Sequence, residues 1–308
     1  MLVIKNLEKS YGKFKALNGL NLEIKKGEIF GFIGPNGAGK STTMKIISGL
    51  LSPDGGEVYV DGIDAIKNNK ALKDKIGYMP DFFGVYDNLK AIEYLEFYAS
   101  IYGIVGEKAR TLGMELLELV NLQDKYDSNV DGLSRGMKQR LCLARCLVHN
   151  PEILLLDEPA SGMDPRARFE MKGILKNLKE MGKTIIVSSH ILPELGEICT
   201  NIGIIKNGVI VSQGTVDEIM RQAAGISPFV ITVMDNPEKA IEVLREIPEV
   251  NEISLDENKI TASVSGGDKE GREVLKALVL RDIPVIGFTR AVGNLEDVFI
   301  QITENDNN

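Results

Sequence analysis

The sequence has no run approaching the roughly 18 apolar residues that a membrane-spanning helix requires. Its first ten residues, Met1 to Ser10, carry no cleavable signal pattern. The expectation is a chain that is soluble on its own, so that any membrane task falls to another polypeptide. Cysteine is scarce: Cys142, Cys146 and Cys199 are spread along the chain, too few for a disulfide framework and suited to a reducing compartment. Histidine is scarcer still, with only His149 and His190, and no set of Cys and His completes a metal site. Positive charge is in deficit, since 36 Lys and Arg face 44 Asp and Glu for a formal charge of -8. That balance gives no support for a nucleic-acid surface. The length of 308 residues allows one large domain and a smaller one.

Against these absences stands Gly34-Pro35-Asn36-Gly37-Ala38-Gly39-Lys40-Ser41-Thr42, set between the apolar run Ile29 to Ile33 and a helix-like stretch, Met44 to Leu50. A strand, a glycine-rich turn and a helix N-terminus are the context a phosphate-binding loop needs. A triphosphate requires backbone N–H groups wrapped closely around it, and Gly34, Gly37 and Gly39 remove the Cβ atoms that would block that approach. The helix beginning near Gly39 adds its unpaired N–H groups. Lys40 is placed to reach the β and γ phosphates, and the Ser41 hydroxyl to ligate Mg²⁺.

The rest of the chain reads as alternating strands and helices. Leu2 to Leu7 and Leu17 to Ile24 are expected strands flanking Tyr11-Gly12, where Tyr11 is either a surface tyrosine of a hairpin or an aromatic platform for an adenine ring. Turn residues 52–56 precede a strand from Glu57 to Val60. Ile76 to Met79 is a short strand ended by Pro80, after which Asp81 opens a loop rich in aromatics. Leu89 to Tyr102 and Glu107 to Val120 are spaced as amphipathic helices of an inserted helical lobe. Leu133-Ser134 followed by Gly136 puts a hydroxyl and bare N–H groups at the start of a helix from about Met137 to Val148, or else is an ordinary cap. Cys142 and Cys146 are expected in the core of that helix, and His149 as a cap or surface group at its end.

Ile153 to Leu156 is a buried strand of a parallel sheet that delivers Asp157 and Glu158 to its carboxyl end. Two adjacent carboxylates there are costly unless they face a metal or a solvated cleft. Asp157 suits the second shell or water shell of a Mg²⁺ opposite Ser41, and Glu158 the polarisation of an attacking water. After the turn Ser161 to Pro165 and a helix to about Glu180, the strand Thr184 to Ser188 ends at Ser189-His190. His190 thus falls where open α/β sheets bind ligands, placed to sense a γ-phosphate. Ile202 to Ile205 and Val209 to Ser212 form an expected hairpin. The organisation changes near residues 223–225. From Phe229 the order is βαββαβ, then a short helix from Asn294, which fits a small ferredoxin-like unit without a catalytic cluster.

With these residues laid out, residues 1–222 resemble an ATP-binding-cassette (ABC) transporter ATPase subunit, and residues 226–304 resemble the C-terminal regulatory or dimerisation extension of ABC-2-type drug, antibiotic or ion exporter ATPases. The resemblance implies an α/β P-loop NTPase fold: a mixed, largely parallel sheet with a helical subdomain at about 82–150, plus a small α+β ferredoxin-like domain. It implies ATP and Mg²⁺ as ligands. Gly34 to Thr42, Tyr11, Asp81, Ser134 and Gly136 would contact nucleotide, Ser41, Asp157 and Asp81 the metal, and Lys40, Glu158 and His190 would serve catalysis. Two departures stand out. The signature usually written LSGGQ reads Leu133-Ser134-Arg135-Gly136-Met137, where Ser134 and Gly136 keep the hydroxyl and N–H and Arg135 adds positive charge. Asp81 replaces a usual Gln, so it accepts hydrogen bonds but donates none. The implied function is ATP hydrolysis by a head-to-tail dimer that drives a separate polytopic permease from the cytoplasmic face of the membrane, as an exporter, with no nucleic-acid partner. The alternative is a soluble ABC-type ATPase of cluster assembly, translation or nucleic-acid maintenance.

Overall fold

In the first part of the chain the strands are β1 (Leu2–Tyr11), β2 (Phe14–Ile24), β3 (Ile29–Ile33), β4 (Gly55–Val60), β5 (Ile63–Asp64), β6 (Ile76–Met79), β7 (Ile153–Asp157), β8 (Thr184–Ser189), β9 (Asn201–Lys206) and β10 (Val209–Thr215). Alternation decides the outer layer. Leu2, Ile4, Leu20 and Leu22 turn inward on β1 and β2, which join an antiparallel sheet of order β2-β1-β4-β5. By contrast, β3 and β7 are buried at every position, as strands covered on both faces must be. They lie inside a second sheet of order β10-β9-β3-β8-β7-β6. Its β6-β7-β8-β3-β9 pairings are parallel and β9-β10 is antiparallel.

Between the two sheets, Phe30, Phe32, Leu155 and Ile186 meet the inward residues of β1 and β2, together with Met44 and Ile47 of α1 (Lys40–Ile47). Each such side chain contributes about 2 kcal/mol by leaving water. After a single turn, α2 (Asn69–Leu72), the chain between β6 and β7 forms the helical lobe: α3 (Ala91–Ile101), α4 (Glu107–Leu119) and α5 (Arg135–Leu147). The next helix, α6 (Pro165–Glu180), links β7 to β8.

The computed structural model describes residues 1–82, 84, 88–189, 195–223, 228–266 and 268–290, and the chain divides into two units, Met1–Val216 and Asp217–Asn308. A helix that the sequence reading did not anticipate, α7 (Val216–Ala223), begins at that division. The second unit contains β11 (Phe229–Val233), α8 (Pro237–Arg245), β12 (Val250–Asp256), β13 (Lys259–Val264), α9 (Asp268–Leu280) and β14 (Val285–Arg290). Its sheet order, β12-β13-β11-β14, is antiparallel throughout. That is the ferredoxin-like arrangement expected from βαββαβ order. The unit has its own core, in which Ile231, Val233, Ile260 and Ala262 pack with Leu244, Val274 and Leu278. The short helix expected from Asn294 lies outside the described residues.

Candidate functional site

Four adjacent parallel strands, β6, β7, β8 and β3, end side by side, and β3, β7 and β6 each lead to a residue singled out from the sequence. Register aligns Ile33 with Ser189, Asp157 with Ser188, and Met79 with Leu156. Gly34 therefore comes directly after β3, Asp157 and Glu158 close β7, and Pro80-Asp81 comes after β6. His190 comes after β8 but lies outside the described residues.

The glycines of the loop are fixed by neighbours. A Cβ on Gly34 would lie 2.5 Å from the Ile205 carbonyl oxygen, and one on Gly39 would lie 2.7 Å from that of Ala16. Gly39 has a φ of 114° and caps α1 without a side-chain hydrogen bond, so no side chain competes for the helix's first N–H groups. Thr43 closes the turn by donating from both N and Oγ1 to the Gly39 carbonyl, each at 2.9 Å. Pro35, Asn36 and Gly37 are exposed, Ala38 is buried, and Ser41 and Thr42 are partly exposed on the first turn of the helix. The result is a concave set of backbone donors on a helix N-terminus, which is the geometry that receives an anion.

Lys40 is buried and folds back over this loop. Its Nζ donates to the Gly34 carbonyl at 2.6 Å and lies 3.9 Å from Glu158 Oε1. Burial pushes its pKa down, while the Glu158 and Asp157 carboxylates pull it back up. The Gly34 and Pro35 carbonyls accept from the ammonium that the sequence reading assigns to phosphates.

The structure adds a residue that the sequence reading passed over. Ser188 Oγ donates to Asp157 Oδ1 at 2.7 Å and accepts from the Glu158 N–H at 3.0 Å. Glu158 takes a left-handed φ of 52°, a conformation that costs about 1–3 kcal/mol and needs its surroundings to hold it. The signal was a hydroxyl in an apolar strand, Ile185-Ile186-Val187-Ser188. Asp157 is itself 2% exposed. A buried carboxylate at the end of β7 and the Ser41 hydroxyl on the first turn of α1 offer oxygen ligands alone, the chemistry Mg²⁺ takes, so the donor set fits that ion.

Asp81 is half-buried. Burial is the main cause pushing the neighbouring Tyr78 pKa up, with the Asp157 and Asp81 charges adding to it. Tyr11 ends β1 opposite Phe14, and the two rings are 50% and 57% exposed. Because Ala16 and Leu17 lie against Gly39, this exposed aromatic hairpin abuts the phosphate loop. Phe14 was not anticipated as a second ring there.

Ser134 caps α5, its Oγ accepting from the Met137 N–H at 3.3 Å. Gly136 is buried, and a Cβ there would meet the Ala167 Cβ at 2.8 Å, so its absent side chain also lets α5 approach α6. Cys142 and Cys146 are buried as expected. His149 requires correction: it is neither a cap nor a surface group. Its Nε2–H donates to the Ile76 carbonyl at 3.1 Å, and its ring stacks on Tyr102 with centroids 4.4 Å apart. Tertiary neighbours from β6 and α3 capture it, and burial lowers its pKa.

The family described as ABC transporter matches residues 17–161, and the ATP-binding protein DrrA1-3-like C-terminal domain matches residues 214–303. The linearmycin resistance ATP-binding protein LnrL of Bacillus subtilis (strain 168) is 34% identical over 305 residues, 98% of either chain. The bacitracin transport ATP-binding protein BcrA of Bacillus licheniformis is 35% identical, over 96% of this chain and 95% of its own length. Among solved structures, a dimeric post-hydrolysis state of the ATP-binding cassette MJ0796 bound to ADP and Pi is 31% identical, with a TM-score of 0.65 over 70% of this chain and 99% of that one. These matches place the chain in the ABC transporter family, as an ATP-hydrolysing subunit with a DrrA-like C-terminal domain.

Proposed function

We propose that this chain powers export through a separate polytopic permease, working as a head-to-tail pair of cassettes on the cytoplasmic face of the membrane. The observation that carries the reading is the meeting of the phosphate loop, Lys40, Asp157 and Glu158 at adjoining strand ends, while the signature turn presents Ser134 at the start of another helix, α5. A cassette built this way holds one ATP on its loop and offers its signature turn to the ATP of a second cassette. Relatives named for linearmycin resistance, bacitracin transport and Nod factor export support the export direction. No helix among the described residues is long and apolar enough to cross a membrane. The path across the bilayer, and with it substrate choice, is assigned to the permease.

In this reading the backbone of Gly34 to Gly39 cradles the phosphates, Lys40 leaves the Gly34 carbonyl for the β and γ phosphates, and Tyr11 stacks on the adenine. Ser41, Asp157 and Asp81 would hold Mg²⁺, which would neutralise phosphate charge there. Glu158, kept in place by Ser188, orients and polarises the attacking water, and His190 senses the γ-phosphate. Ser134 and the Gly136 N–H close the site from the second cassette.

Glu158→Gln tests the arrangement. Turnover is expected to fall by about a hundredfold or more, and the variant to accumulate as an ATP-bound dimer on size-exclusion chromatography. A variant that stays monomeric with ATP would sink the paired arrangement. Co-purification of a polytopic protein with the tagged chain after gentle solubilisation tests the permease.

A further inference from the structure

We infer that Tyr78 is a positioning residue whose hydroxyl supplies, to the metal site proposed above, the hydrogen-bond donor that Asp81 lacks. On β6, Tyr78 pairs with Leu155 of the parallel strand β7, and Asp157 lies two residues, about 7 Å, further along that strand. Alternation puts Leu155 and Asp157 on one face of the sheet, and the parallel pairing puts Tyr78 on it beside them. Ile76, Ile153 and Leu155 of this face enter the core between the two sheets, and the Tyr78 ring packs against that core. Its hydroxyl lies where both the Asp157 and the Asp81 charges act on it.

That hydroxyl is buried and makes no hydrogen bond. Phenylalanine would keep the packing of the ring without leaving a polar atom unpaired, so packing gives no reason for tyrosine here. Burial holds the phenol in its protonated form, which makes it a donor. The polar groups nearest in the site are acceptors. Asp157 Oδ1 accepts from the Ser188 hydroxyl at 2.7 Å, and neither ionised carboxylate has a proton to give. A Gln at position 81 would bring an amide N–H to the site. This chain brings a second carboxylate there and, three residues earlier, an O–H that is not otherwise used.

A bound Mg²⁺ keeps several of its waters. A water beside the ion that accepts from Tyr78 and donates to the carboxylates would pair the buried hydroxyl and hold Asp157 and Asp81 at a fixed separation. Tyr78 therefore matters to the site that contains the metal, and leaves binding of the nucleotide without metal untouched. The phenol serves through its hydrogen bond alone, so its role disappears once another donor stands at position 81.

The test is binding of a fluorescent ATP analogue to the full chain, in EDTA and across a Mg²⁺ titration, for the unaltered chain, Tyr78→Phe, Asp81→Gln and the double variant. Mg²⁺ is expected to tighten binding to the unaltered chain. Tyr78→Phe is expected to need about fivefold to tenfold more Mg²⁺ for the same tightening, with binding in EDTA unchanged and the nucleotide-free Tm equal or higher. Against Asp81→Gln, whose amide supplies the donor, the same substitution is expected to shift the Mg²⁺ requirement by less than about twofold. An unchanged Mg²⁺ requirement for Tyr78→Phe, a matching loss of binding in EDTA, or an equal shift in the Gln background would each overturn the inference. Binding to the unaltered chain that ignores Mg²⁺ would instead remove the metal site itself, and the role of Tyr78 with it.

Discussion

Ser188 holds both carboxylate residues at the end of β7, donating to one side chain and accepting from the backbone of the next. Removing its hydroxyl leaves a buried Asp157 oxygen and a left-handed Glu158 without support. Ser188→Ala is expected to lower kcat about tenfold and to cost about 1–3 kcal/mol of stability, read by steady-state kinetics and urea unfolding. An unchanged kcat would reduce Ser188 to packing. Lys40 behaves in the opposite sense. Burial lowers its pKa, so its charge is a cost to the nucleotide-free fold at neutral pH, and that cost fades only as pH rises through the lowered value. Lys40→Met is therefore expected to keep or raise the Tm without nucleotide while abolishing the rise in Tm that ATP produces. A lower Tm without ATP would mean that its bonds to the Gly34 and Pro35 carbonyls outweigh its desolvation.

At the scale of elements, Arg140 joins three helices. From α5 it donates to the Val120 and Asn121 carbonyls at the end of α4, at 3.1 and 2.9 Å, and it pairs with Glu170 on α6. The Arg140 side chain is 6% exposed and that of Glu170 28%, so removing one partner strands a poorly solvated charge. Arg140→Ala is expected to cost about 3–5 kcal/mol, measured by denaturant unfolding, and to loosen the lobe in hydrogen exchange before the sheets. Element boundaries were legible where periodicity was strong: β3, β6, β11 and β13 fall where apolar pattern put them. β1 was not, because its polar end is held by tertiary partners. There Lys9 Nζ and the Ser10 N–H donate to Asp54 at 2.8 and 2.6 Å, extending the strand to Tyr11 beyond the expected Leu7. Arg135 begins α5 two residues before the apolar pattern does, since the Ser134 cap decides the start.

For the whole molecule, charge is unevenly shared. Residues 217–308 hold nine Lys and Arg against eighteen Asp and Glu, so the negative balance resides in the C-terminal unit while the cassette is close to neutral. Acidic surface is repelled by anionic headgroups, whereas peripheral binding by charge needs clustered basic residues. The purified chain is expected to stay in the supernatant when anionic phosphatidylserine vesicles are sedimented, and to pellet only with membranes containing its permease. Pelleting with the lipid alone would give the chain a membrane contact of its own and weaken the need for a permease to recruit it.

Local order along the chain is enough to reveal the chemistry of neighbouring residues: the glycines, lysine and serine of Gly34 to Thr42 between a strand and a helix, and the carboxylates after Ile153 to Leu156. A phosphate loop and an acidic strand end are each made of consecutive positions, so spacing exposes them. Packing alone decides which distant groups share a proton, a charge or a surface. Ser188 meets Asp157 across 31 positions and His149 meets Ile76 across 73, while Arg135 lies over Gly162. Such contacts arise from how parallel strands register and how helices pack, and no periodicity along the chain encodes them.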